Sequence, residues 1–133
     1  MGGIPMSVDL TMLVWAVVLT LVQMLVASSG ATLQVGLPKL AGNREGMTEC
    51  EGWVGRAQRA HRNMLENLPL FAAAVLVAAV AGKADATTAL GAQIFLSARA
   101  LYAVVYLVGI HWLRTVVWGA SIVGLVMIIA QLL

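Results

Sequence analysis

Residues 56–70, RAQRAHRNMLENLPL, bring three arginines, a histidine, two asparagines and a glutamate to the head of an apolar run. Placed on a helix, Arg56, Arg59, Asn63, Glu66 and Leu70 fall on one stripe at offsets of three and four, with Arg62 beside Asn63 and Glu66. A guanidinium grips a carboxylate through two parallel hydrogen bonds, so such a stripe suits an organic anion. Further along, Arg99 stands alone in another apolar stretch with Tyr102 and Tyr106 on its face, and Arg114 follows a short break. Several arginines against one intramembrane carboxylate leave a positive surplus that a bound anion would relieve. The competing structural role is an Arg62–Glu66 pair four residues apart, with Arg56 and Arg59 reaching to lipid headgroups and the tyrosines packing at the membrane interface.

The elements that carry these residues are membrane spans. The chain of 133 residues is 61% hydrophobic and 11% charged, whereas roughly a quarter of the residues of a soluble domain are charged. A span needs about 20 apolar residues, which leaves room for four helices in a single transmembrane domain covering 1–133 and for little else. The pattern predicts an all-α four-helix membrane bundle with spans over 8–28, 52–81, 86–108 and 111–133. Between the first two, residues 29–51 read as a loop rich in Gly, Pro and charge. The first apolar run is too long for a cleaved leader and reads as a retained span.

Within the first span Gln23 is expected to face another helix, where its amide finds a partner. The second span is long enough for its basic half to start at the headgroups, and Pro69 is expected to kink it just past Glu66. Gly82–Asp85 reads as a tight turn. In the last span Gly119, Ala120 and Gly124 permit close helix contact. Lys39, Arg44, the arginines opening the second span and Arg114 lie on one side and only Lys83 on the other. The positive-inside rule then makes the long loop cytoplasmic and puts both termini outside. The lone Cys50 has no internal disulfide partner, and no His, Cys or carboxylate cluster supports a metal site. Nothing resembles a phosphate loop, a nucleophile elbow or a nucleic-acid patch.

The run RAQRAHRNMLEN, with its basic entrance followed by Asn and Glu, resembles the signature of the MAPEG superfamily, the membrane-associated proteins in eicosanoid and glutathione metabolism. The likeness extends to the four spans, the long first loop, an arginine with tyrosines on the third span, and an arginine opening the fourth. It implies a homotrimer in the membrane lipid, with glutathione bound between subunits on the cytoplasmic side; the short, simple architecture of this multi-pass protein points to a bacterial inner membrane. By position, Arg59, Arg62, Asn63 and Glu66 resemble the residues that hold the peptide, Arg99, Tyr102 and Tyr106 the facing wall, and Thr115 a hydroxyl neighbour. Arg114 resembles the arginine that stabilises the glutathione thiolate. The resemblance thus implies a glutathione-dependent transferase or peroxidase acting on a lipophilic small molecule. From the residues alone, a non-catalytic protein holding anionic lipid or another anionic ligand through its arginines stays open.

Overall fold

Ser7 begins the first helix by accepting a hydrogen bond from the Leu10 amide at 3.2 Å, and Asp9 in the first turn suits the positive end of the helix dipole. The computed structural model describes residues 5–47 and 49–133; residues 1–4, and Thr48 in the expected loop, lie outside the described residues. Its elements are α1 (Val8–Val35), α2 (Leu37–Ala41), α3 (Gly52–Val80), α4 (Ala86–Val108) and α5 (His111–Leu132). The described residues contain no strand, and α1, α3, α4 and α5 are each long and apolar enough to cross a membrane.

The segment read as loop from residue 29 differs. α1 continues to Val35, and α2 follows after a single residue, Gly36. Ser28, Ser29 and Gly30 are weak helix formers in isolation, but here tertiary packing decides. A Cβ on Gly30 would stand 2.9 Å from the Trp53 ring and 3.0 Å from a Val54 methyl, so the missing side chain is what lets α1 and α3 meet. Gly30 acts as a packing residue and not as a breaker. The end of α1 is tied to the start of α3 by Gln34, whose Oε1 accepts the Glu51 amide at 2.8 Å while its Nε2 donates to the Glu51 carbonyl at 3.2 Å.

α3 is one continuous helix through Pro69, which sits exposed on its surface. A capping box opens α4: Asp85 Oδ1 accepts the Thr88 amide at 2.9 Å, and the Asp85 amide donates to Thr88 Oγ1 at 2.8 Å. The core joins the helices through Phe71 and Phe95, stacked with ring centroids 4.0 Å apart and surrounded by Met64, Val75, Leu125 and Ile128. Gln23 is buried as its position suggested, yet its Oε1 has no hydrogen-bond partner among the described residues.

The most extensive helix contact is between α4 and α5. It depends on Gly91 and Gly124: a Cβ on Gly124 would stand 2.5 Å from the Gly91 carbonyl oxygen and 2.8 Å from the Phe95 amide nitrogen. Neither backbone atom can yield cheaply. Gly124→Leu is therefore expected to cost about 1–3 kcal/mol or more, read as a lower temperature of aggregation in detergent. Gly119→Leu, with no atom within 4 Å of the added Cβ, is the matched control expected to leave that temperature unchanged.

Candidate functional site

The first half of α3 carries Arg56, Arg59, Arg62 and Asn63 past the loop and the facing ends of α4 and α5. Each arginine takes a different partner. Arg56 Nε donates to the Leu107 carbonyl at 2.9 Å, satisfying one of the acceptors that the end of α4 leaves without an intrahelical donor. Arg56 is thereby a structural brace at the α4–α5 corner. Arg59 Nε donates to Tyr106 Oη at 3.2 Å, and its Nη1 lies 3.4 Å from Glu49 Oε2. Arg62 Nη1 lies 3.4 Å from the other oxygen, Glu49 Oε1.

Glu49 thus straddles two guanidinium groups. The expected Arg62–Glu66 pair is not formed: among the described residues Glu66 makes no ion pair, and it is exposed. A carboxylate at the loop can take both arginines at once, whereas Glu66 lies a turn deeper in α3. The Glu49 contacts are long and half-exposed, with side-chain exposures of 40% for Arg59 and 59% for both Arg62 and Glu49. Such pairs contribute about 0–1 kcal/mol. Glu49 is a weak occupant of a place where arginines converge on a carboxylate.

Deeper in the bundle, Arg99 is 1% exposed. Its Nη2 donates to Asn63 Oδ1 at 2.8 Å, and its guanidinium lies 4.4 Å from the centre of the Tyr102 ring. Asn63 is itself oriented by Asn67, whose Nδ2 donates to the Asn63 carbonyl at 2.8 Å and to Asn63 Oδ1 at 3.2 Å. Arg99 Nε and Nη1 are buried with no partner among the described residues. One neutral hydrogen bond and one cation–π contact, the latter worth about 0.5–2 kcal/mol, do not match what a buried guanidinium loses in leaving water.

Tyr106 is the hub of the remainder. It accepts from Arg59, meets Tyr102 edge-on with centroids 5.5 Å apart, and lies 4.5 Å beneath the Arg114 guanidinium. The described geometry therefore links Arg59, Arg62, Asn63, Arg99, Tyr102, Tyr106 and Arg114 through named contacts. Thr115 is exposed and forms no side-chain hydrogen bond among the described residues, so with Glu66 it stands outside this network. Glu49 and Asn67 belong to it and were missed. Asn67 was detectable, since it repeats Asn63 one turn on; Glu49 was not, because its partnership is set by how the loop returns to α3.

The model of the MAPEG family matches residues 8–133, nearly the whole chain. The chain belongs to the MAPEG family. With four apolar helices of crossing length, this MAPEG member is an integral membrane protein. The family includes glutathione transferases and related membrane proteins, and its members typically use glutathione. Comparison with curated proteins and with solved structures finds no match. The residues of this MAPEG chain can be tested against glutathione on their own chemistry. The peptide carries two carboxylates, an ammonium and a thiol. Arg59, Arg62, Arg99 and Arg114 offer guanidinium donors; among the described residues Arg99 has two buried nitrogens without an acceptor, and Glu66 is a carboxylate in no ion pair. The donor set fits.

Proposed function

We propose that this MAPEG protein binds glutathione in the arginine cluster and joins it to, or reduces with it, lipophilic electrophiles taken from the membrane. The observation that carries this reading is Arg99: a guanidinium buried in the bundle with two nitrogens lacking acceptors among the described residues, linked through Tyr102 to Tyr106, on which Arg59 and Arg114 gather. An intramembrane charge without a partner defaults to a functional role, and its missing partner is an anion.

When bound, glutathione supplies the nucleophilic sulfur. The chain's own groups do the rest. Arg59 and Arg62 exchange Glu49 for a ligand carboxylate, Asn63 holds the peptide and Arg99 in register, and Glu66 receives the ammonium. Arg114 places its positive charge near the sulfur, which lowers the thiol pKa and raises the thiolate fraction at neutral pH. In addition to an activated alkene the S–C bond forms and the thiol proton ends on the adjacent carbon. In reduction of a hydroperoxide two thiols give one disulfide, an alcohol and water.

Glu66 also supports a homotrimer with sites between subunits, and the Lys and Arg distribution supports their opening to the cytoplasm. A carboxylate exposed on a spanning helix is costly against lipid, and a neighbouring subunit would cover it. The test is ultraviolet difference absorbance of the detergent-solubilised protein titrated with glutathione. A saturable thiolate band near neutral pH is expected. No band, together with no displacement of any bound ligand by a thiol-free glutathione analogue, would sink the reading and favour an anionic-lipid site.

Because Glu49 competes for the arginines a ligand carboxylate needs, Glu49→Gln is expected to tighten glutathione binding about two- to fivefold, in keeping with a displaced pair worth about 0–1 kcal/mol. Isothermal titration checks it. Weaker binding in that variant would mean that Glu49 helps to hold the ligand.

A further inference from the structure

A concavity of about 650 Å³ lies between α1, α2 and α3 and shares only Glu49 and Arg62 with the arginine network. That volume is within the roughly 300–1,000 Å³ typical of sites for single small ligands. Its lining changes along its length. Met24, about three turns inside the end of α1, and Ala27 and Leu65 give an apolar floor towards the span, while Arg44, His61 and Arg62 gather at the loop end. α2 closes that end with Leu37 and Leu40 on the groove and Lys39 exposed.

The loop holds Arg44 in place at some cost. Arg44 is the one non-glycine among the described residues with left-handed backbone, φ 63°, a conformation that costs roughly 1–2 kcal/mol. Its Nε donates to the Leu40 carbonyl at 2.7 Å, which fixes the guanidinium plane at the groove. Among the described residues its two terminal nitrogens have no acceptor, and Arg62 commits only Nη1, to a Glu49 already shared with Arg59. The loop end therefore carries surplus positive charge and more donors than the two oxygens of a carboxylate would use. Arg44, Arg62, His61 and Gln58 together suit the several oxygens of a phosphate.

We propose that this groove binds a single-chain amphiphile with a phosphate head, a lysophospholipid of the lysophosphatidate type. Its head sits at Arg44 and Arg62 and its acyl chain runs over Ala27 towards Met24 and Leu65. The groove shares Arg62 and Glu49 with the arginine network but does not rest on the glutathione reading, because Arg44 and the apolar floor lie outside that network.

The test uses the full chain in detergent, titrated with a fluorescent lysophosphatidate. Saturable binding is expected, weakened about tenfold by Arg44→Gln, the loss of a charge-assisted hydrogen bond. Leu65→Trp, which fills the apolar end, weakens it as well, and a monoacylglycerol carrying the same chain without phosphate fails to compete. Equal uptake by wild type and Arg44→Gln overturns the proposal, as it would mean partition into the micelle alone. Equal competition by oleate removes the phosphate assignment, and equal competition by a two-chain phosphatidylglycerol makes the groove a general lipid contact. Glutathione-induced thiolate absorbance recorded on the same samples keeps the questions apart. Its absence with lysophosphatidate binding intact counts against the glutathione site only, and its persistence in Arg44→Gln shows that the variant is folded.

Discussion

Arg99→Met is expected to make the ligand-free protein more stable and glutathione binding about a hundredfold weaker. The two effects have one cause. Arg99 is 1% exposed, and two of its nitrogens lack acceptors among the described residues. Replacing a buried, incompletely compensated charge by an apolar side chain of similar length removes a desolvation penalty, and such exchanges are often neutral or stabilising by about 1–4 kcal/mol. Methionine is flexible enough to fill the space against Tyr102. Asn63 loses one partner but keeps the Asn67 donor, so its amide is not stranded. If an anion is what completes Arg99, the same change deletes a buried charge partner of that anion, worth about 2–5 kcal/mol. Thermal unfolding and isothermal titration on one preparation read both quantities. A variant that binds glutathione normally would show that Arg99 is a structural residue, and one that merely fails to fold would show that the cation–π and Asn63 contacts suffice to hold it.

Arg114→Ala is expected to separate binding from chemistry. Among the described residues Arg114 meets the cluster through the Tyr106 ring alone, 4.5 Å below it, whereas the side chains proposed to hold the peptide lie on α3 and α4. Its removal should change glutathione affinity no more than a few fold. The thiolate band should vanish and turnover should fall about 100- to 1,000-fold, the usual effect of removing one group that stabilises charge developing at a reacting atom. Arg114→Lys keeps the charge but not the planar stacking on Tyr106, and an intermediate loss is expected. Binding and turnover falling in parallel would reassign Arg114 to holding the peptide.

How much of this was legible in the sequence depends on the range of the interaction. Long apolar runs announce the spanning helices because length and hydropathy are local properties, and Arg99 stands out because a single charge in such a run has no local explanation. The stripe Arg56–Arg59–Asn63 follows from helical periodicity alone. Partner choice is not local. Arg56, on the same stripe as Arg59, braces the carbonyl of Leu107 across the bundle, while Arg62 turns away from Glu66 to a loop carboxylate. The extension of α1 through Ser28, Ser29 and Gly30 was hidden for the same reason: all three are poor helix formers, and what holds the segment is Gly30 packing against Trp53 and Val54 on α3. Gly119 and Gly124 are equivalent as sequence, yet one meets α4 and the other meets nothing.

The tie between Gln34 and Glu51 makes residues 35–50 a hoop whose two feet are pinned beside each other. The closure entropy of such a hoop rises only slowly with contour length, by about 0.6 kcal/mol per doubling. The helices therefore feel little of what happens along it. Residues grafted at its crest, near Gly42 and Asn43, would leave the spanning helices in place while moving Arg44 and Glu49 relative to α3. The same hairpin anchorage means that a protease nick at the crest would leave two pieces that still travel as one particle. The hoop is thus the part of the molecule in which ligand preference can be retuned without rebuilding the membrane domain.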